Sequence, residues 1–240
     1  MISIITSLYK SEIFLPDYIK NIQDFYSDLK NKGVSIELII IANDISEKEK
    51  NILSSLIKTN WVRIIEIPRE SLYSSWNRGI RESKFPVCTF WNVDDIRFSN
   101  AIIDGLKKIE EGKELIYFPF RYKRYIKIFN FKILAKNTII NPPEFERETF
   151  SKGMNCGPFF MFTKKLYEKV GPFDESFKIA GDFDWCVRAA QVTNFDLSRE
   201  IAGIFTNEGT SLSGSKGNIL QEENNRIYQK NGILNKIKPI

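Results

Sequence analysis

The sequence predicts an α/β fold, with a mostly parallel central sheet carrying helices on both faces. Two observations carry that expectation. Through the first hundred residues, short apolar and β-branched runs alternate with amphipathic stretches, the order of repeated strand and helix units. The 240 residues, 42% hydrophobic and 27% charged, contain no linker-like tract or internal repeat and suit one hydrophobic core near its upper size.

A β-branched strand is expected over residues 2–7. In residues 14–32 Leu15, Tyr18, Ile19, Ile22, Phe25, Tyr26 and Leu29 recur at helical spacing, so an amphipathic helix follows. Next come a buried strand over 36–42, a helix over 46–58 opened by Ser46 and Glu49 at capping-box spacing, and a strand over 62–67. Helix 71–83 and strand 87–91 complete the alternation. A helix over 99–111 and a strand over 115–120 follow, after which the pattern loosens. Residues 121–134 read as a hairpin or extended excursion, and 141–150, with Pro142 and Pro143, as a loop. Strand 159–162, a short helix 164–170 closed by Gly171, helix 182–191, a strand region over 195–205 and a helix over 218–229 finish the chain, and its last residues fray.

Histidine is absent, which removes Ser-His-Asp triads, Cys-His pairs and H-E-x-x-H zinc sites. Catalysis must then fall to carboxylates, hydroxyls, thiols, amines or a bound cofactor. Cys88, Cys156 and Cys186 form no C-x-x-C and suggest neither a disulfide framework nor zinc. No stretch approaches the roughly 20 apolar residues of a membrane span, and the first ten residues lack a basic signal-peptide region. The expectation is a cytoplasmic protein, at most at the inner face of a membrane.

The formal net charge is +5. Arg121, Lys123, Arg124, Lys127, Lys132 and Lys136 lie in a stretch without acids, and setting them aside leaves 29 basic against 30 acidic residues. One strip therefore makes the chain basic. It is either a solvated hairpin face or a contact with an anionic membrane. The neutral remainder argues against a nucleic-acid partner.

In open α/β sheets ligands bind beyond the carboxyl ends of the strands. Polar loops at 6–10, 43–46 and 92–97 occupy that position. Asp94 and Asp95 follow an apolar strand directly; such a pair either compensates a cation or caps the next helix. Asp182 and Asp184 open a helix, as dipole-favoured acids or as a general base. Asn43 and Asp44 form either an Asx-turn or a reader of a base edge. The small polar loop 206–216 is a solvated connection or a segment closing over a donor, with Glu208 near a metal and Lys216 on phosphate.

Taken in order, these residues resemble the family 2 glycosyltransferases of the GT-A fold. Residues 2–10, 37–46, Asn77-Arg78-Gly79-Ile80 and the Asp94-Asp95 strand end follow the family order. Residues 155–188 carry the closest likeness, through Cys156-Gly157-Pro158, Val170-Gly171-Pro172-Phe173-Asp174-Glu175, Asp182-Phe183-Asp184-Trp185 and Arg188.

The resemblance implies a single GT-A domain over 1–240, with a nucleotide-sugar-binding half at about 1–98, an acceptor half at about 99–215 and a helical tail at 216–240. It implies that Ser7, Tyr9, Asp44, Asn77 and Asp94 bind nucleotide. Asp94 and Asp95 would contact Mn²⁺ or Mg²⁺, and Asp182 would act as base with Asp184 in support. The implied reaction is inverting transfer from a nucleotide-sugar donor, a UDP-sugar, to a glycan or lipid-linked acceptor in cell-surface polysaccharide or glycolipid synthesis. Departures stand at Asn43, Trp76, Asn92 and Gly181, and Lys84-Phe85-Pro86 replaces a usual glycine. A nucleotidyltransferase and a degenerate sugar-nucleotide-binding module are the alternatives, the first lacking a Gly-rich phosphate loop after the opening strand.

Overall fold

The computed structural model describes residues 1–129, 131–208 and 217–233. The alternating half runs β1 (Ile2–Leu8), α1 (Leu15–Asn31), β2 (Ile36–Asn43), α2 (Glu47–Ile57), β3 (Val62–Ile67), α3 (Leu72–Glu82) and β4 (Val87–Phe90). The remainder runs β5 (Ile96–Arg97), α4 (Ser99–Glu110), β6 (Leu115–Tyr117), β7 (Phe120–Ile128), β8 (Phe131–Ile140), α5 (Arg147–Ser151), β9 (Phe160–Thr163), α6 (Lys164–Val170), α7 (Gly181–Ala190), β10 (Asp196–Leu197), β11 (Gly203–Asn207) and α8 (Gly217–Lys230).

A seven-stranded sheet takes the order β10-β6-β9-β4-β1-β2-β3. Strands β4, β1, β2 and β3 are parallel, whereas β9 runs antiparallel between β4 and β6. The strand order reverses between β1 and β4, and crevices for ligands open at such switch points. Neighbouring side chains on a strand face opposite ways, so Ile4 joins the core layer under α1 and α4 while Ile5 joins the layer under α3 and α7. The capping box forms, with Ser46 accepting from the Glu49 N–H and the Glu49 carboxylate accepting from the Ser46 N–H. Gly171 closes α6 at φ +87°.

A second sheet of four strands, β5-β11-β7-β8, stands beside the first. It holds most of the departures from the sequence reading. The basic strip is a hairpin, with β8 reaching Ile140. The expected strand region at 195–205 is two strands in different sheets, separated where Ser198 turns the chain by donating to Asp104 and accepting from the Glu200 N–H. The expected loop at 141–150 ends in α5, a short helix that buries Phe150 against Tyr117 and Phe195. No helix among the described residues is long and apolar enough to cross a membrane.

Candidate active site

The polar loops after β1, β2 and β4 meet at the carboxyl edge of the sheet. Thr6 Oγ1 donates to the Trp91 carbonyl (2.8 Å), tying the end of β1 to the end of β4. Between β1 and β2 the link is an arginine that sequence reasoning missed. Arg69 donates from Nη1 to Tyr9 Oη (2.9 Å), its guanidinium lies 4.2 Å from the Tyr9 ring centroid, and its backbone N–H donates to Asp44 Oδ1 (3.1 Å). The result is an exposed Asp44 carboxylate beside a Tyr9–Arg69 stack, a shape suited to a flat ring with hydrogen-bond donors at its edge. Ser7 stands next to it, 3.4 Å from Asn43 Nδ2. Asn43 is buried, and its Nδ2 also faces the Ile41 carbonyl and Ser75 Oγ. An aspartate there would bring an acceptor to the Ile41 carbonyl, which accounts for the amide.

After β4 the chain turns through residues 92–95, with the Asp95 N–H donating to the Asn92 carbonyl (3.1 Å) and Trp91 Nε1 donating to the Asp95 carbonyl (2.9 Å). This turn buries Asp95 and leaves Asp94 half-buried. Asp95 accepts from the Thr206 N–H on β11 and from Asn92 Nδ2, each at 3.2 Å. An acid at position 92 would face that buried carboxylate with like charge; the amide donates instead. Burial raises the pKa of both aspartates, Asp95 the further because it is wholly buried, with the Asp94 charge adding there and the Glu208 charge adding at Asp94. Arg97 partly offsets this. It is buried over the Phe159 ring (4.9 Å), donates to Thr89 and the Phe90 carbonyl, and is itself pushed down to about 10 by burial. Two carboxylates so placed, with too little cation to balance them, are a natural place for a hard divalent ion.

Asp182 lies at the start of α7, half-buried. Its Oδ1 accepts from the Phe183 N–H (2.8 Å) and stands 3.4 Å from Tyr73 Oη. Burial outweighs these bonds and raises its carboxyl to about 6, with the Glu223 charge adding to the rise. Glycine at position 181 permits the approach of Tyr73, since a Cβ would lie 2.6 Å from the Tyr73 ring and force it to shift. The loop before α7 is held by Glu223 of α8, whose carboxylate accepts from three consecutive backbone N–H groups, Lys178 (2.7 Å), Ile179 (2.9 Å) and Ala180 (2.8 Å). Helix α3 joins the two carboxylate centres. Tyr73 reaches Asp182, and Trp76, one turn on, stacks on Phe90 of β4 at 3.8 Å.

Two expected site residues are placed differently. Asn77 is buried with its amide fully committed: Nδ2 donates to the Phe173 carbonyl and Glu175, and Oδ1 accepts from Tyr167 Oη and the Phe173 N–H, all at 2.9 Å. It holds α3 to the loop before α7 and has no bond left for a nucleotide. Asp184 is fully buried between Arg188 (2.9 Å) and Lys230 (3.0 Å) and supports α7 rather than chemistry. Glu208 pairs with Lys132 of the hairpin while its charge reaches Asp94. Lys216 lies outside the described residues. Of the groups missed, Arg69 and Glu223 act through distant chain segments, and no local spacing announces them.

The sequence matches the family described as Glycosyl transferase family 2 over residues 3–171. No curated protein matches it in sequence. In three dimensions the chain is similar to Staphylococcus aureus TarS 1–349 in complex with UDP-GlcNAc, with a TM-score of 0.71 and 14% identity over 99% of this chain and 76% of that one. It is also similar to the mannosyltransferase PcManGT of Pyrobaculum calidifontis in complex with GDP-Man and Mn²⁺, with a TM-score of 0.68 and 11% identity over 99% of this chain and 65% of that one. Likeness at such low identity shows the shared GT-A fold.

Proposed function

Because the chain belongs to glycosyl transferase family 2, and is therefore a glycosyltransferase using a nucleotide-sugar donor, we propose that it transfers the sugar of a UDP-sugar with inversion. The acceptor is a hydroxyl of a glycan or lipid-linked molecule, presented at the cytoplasmic face of a membrane during polysaccharide or glycolipid assembly. The observation that carries the reading is Asp182. The Phe183 N–H and the Tyr73 hydroxyl both meet Oδ1, and Oδ2 is assigned to the acceptor hydroxyl. A carboxyl at about 6 is ionised at neutral pH yet basic enough to take a proton.

As the acceptor oxygen bonds to the anomeric carbon, its proton passes to Asp182 and the bond from that carbon to the diphosphate breaks. Asp44, Tyr9 and Arg69 suit the nucleoside, Asp44 by accepting from the base edge and the stack by flanking the ring. No cluster of three or more His, Cys, Asp or Glu that would hold a metal occurs among the described residues. Asp94 and Asp95 would hold Mn²⁺ or Mg²⁺ as two hard carboxylate ligands, the habit of ions that take one or two protein carboxylates together with substrate phosphates. When bound, the ion neutralises charge on the departing diphosphate.

The departures at Asn43, Asn92 and Gly181 each have a local packing or charge reason, so they do not favour a degenerate binding module. Turnover of a panel of nucleotide sugars, measured with Asp182→Asn beside the parent, tests the proposal. We expect UDP binding by calorimetry to persist in the variant while transfer falls by about 10²-fold or more, the usual scale for a lost general base. Equal turnover in the two proteins would remove Asp182 from the chemistry.

A further inference from the structure

We propose that the outer half of the β7–β8 hairpin is a docking ribbon that seats its apolar tip in a bilayer of anionic lipid. The inference deepens the membrane-side placement proposed above and does not depend on the identity of donor or base.

Sheet pairing sets the ribbon apart. Strand β11 pairs with β7 only from Arg121 to Arg124, and at Arg124/Tyr125 the β7–β8 register shifts. Beyond that shift β7 and β8 pair with each other alone among the described residues. A two-stranded ribbon with so little body behind it is marginal in water. It nonetheless carries apolar side chains into solvent. Of the eleven large apolar residues exposed among the described residues, six belong to this hairpin. Phe129 is 92% exposed and Phe131 74% exposed, values that scattered surface apolar residues do not explain when they adjoin one another. Phe129 also holds a left-handed backbone at φ +53°, where asparagine or glycine is usual and an aromatic is uncommon.

Register then sorts the side chains. Directly paired residues share a face, so Ile126 and Ile133 lie together, and alternation puts Phe131 on the same face. Toward the root, past the Tyr125/Leu134 pair, the next pair on this face is Arg124 and Lys136, both exposed. Three residues separate Ile133 from Lys136, about 10 Å at strand rise. That matches the roughly 5–10 Å by which interfacial elements bury an apolar face below the headgroups. This face of the tip is thus apolar, and its root is cationic at the depth where lipid phosphates would lie. Lys132, on the other face, lies over the Tyr125 ring at 4.4 Å and pairs with Glu208.

Charge also chooses the occupant. Among the described residues strand β8 is the edge of its sheet, which would invite a second copy of the chain. No acid occurs in residues 121–136, however, so edge pairing of two ribbons would bring lysines against lysines. Anionic lipid complements the charge and accepts the aromatics.

Vesicle flotation decides the matter, using phosphatidylcholine alone and phosphatidylcholine mixed with phosphatidylglycerol. The parent should float with the mixed vesicles and stay behind with the neutral ones. Phe129→Ser with Phe131→Ser, and separately Arg124→Gln with Lys136→Gln, should each lower partitioning by roughly tenfold or more. An unchanged melting curve and unchanged UDP binding would show that the variants remain folded. Equal flotation on neutral lipid, no flotation, or flotation indifferent to both variants would overturn the proposal. So would a parent dimer by light scattering that the phenylalanine variant makes monomeric, since the ribbon would then serve a second copy. A protein that floats as expected but turns over no nucleotide sugar would sink the transferase reading alone.

Discussion

At the scale of single residues, Asp182 joins two consequences of one environment. Its carboxyl lies at about 6 in the folded chain against an ordinary value near 3.9. Ionising it therefore costs the fold stability: the cost is absent below about pH 4, grows between there and pH 6, and is complete above pH 6. Asp182→Asn keeps the acceptor for the Phe183 N–H and removes the charge. We expect it to be more stable than the parent above pH 6, by on the order of 1–2 kcal/mol after solvent screening, and no more stable below pH 4; thermal melts across pH check this. In the parent, kcat/KM should rise with pH through about 6 as the base deprotonates. A flat acid limb would mean that Asp182 takes no proton. Individual acids were legible in the sequence because strand ends and helix starts are local patterns. Asn77 was not, because the groups that consume its amide lie 90 to 98 positions away.

At the scale of elements, α3 is the brace of the site. It packs Trp76 on Phe90, presents Tyr73 to Gly181 and Asp182, and clamps the Phe173 loop through Asn77. Asn77→Ala strands the Phe173 N–H and Tyr167 hydroxyl without their shared acceptor and should cost about 2–4 kcal/mol, since each buried group left unpaired costs roughly 1–3. Denaturant titration measures it, and a loss under 1 kcal/mol would contradict this role. Gly181→Ala drives a methyl into the Tyr73 ring; transfer should fall further than UDP affinity, because the displaced loop carries the proposed base and not the proposed nucleoside contacts. The first seven elements were readable because each strand is an apolar run and each helix an amphipathic one. The second sheet was harder. Its β5 is two residues long, and β11 takes its place by pairing with β5 and β7, far away in sequence.

At the scale of the whole molecule, the tail closes the structure onto its own centre. Helix α8 reaches the base loop through Glu223 and reaches Asp174 and Asp184 through Lys230. The titratable groups around Asp182 are Glu223 on α8, which is the charged one, and the Tyr73 hydroxyl and Cys186 thiol, both kept neutral by burial. Glu223→Gln removes the negative charge that helps hold Asp182 up, so the acid limb of kcat/KM should move to lower pH even where turnover at high pH is reduced. A fall in turnover with no movement of the limb would reduce Glu223 to a packing role. The alternation that revealed the fold says nothing about this closure, because a carboxylate meeting three backbone N–H groups leaves no periodic trace. Order of synthesis gives it a further meaning. A chain leaving the ribosome has its nucleoside loop, its paired aspartates and Asp182 in place well before Glu223 emerges, and the base loop then lacks the carboxylate that gathers its amides. The loop that carries the proposed base is therefore gathered only once α8 is available, after the donor-binding half has left the ribosome.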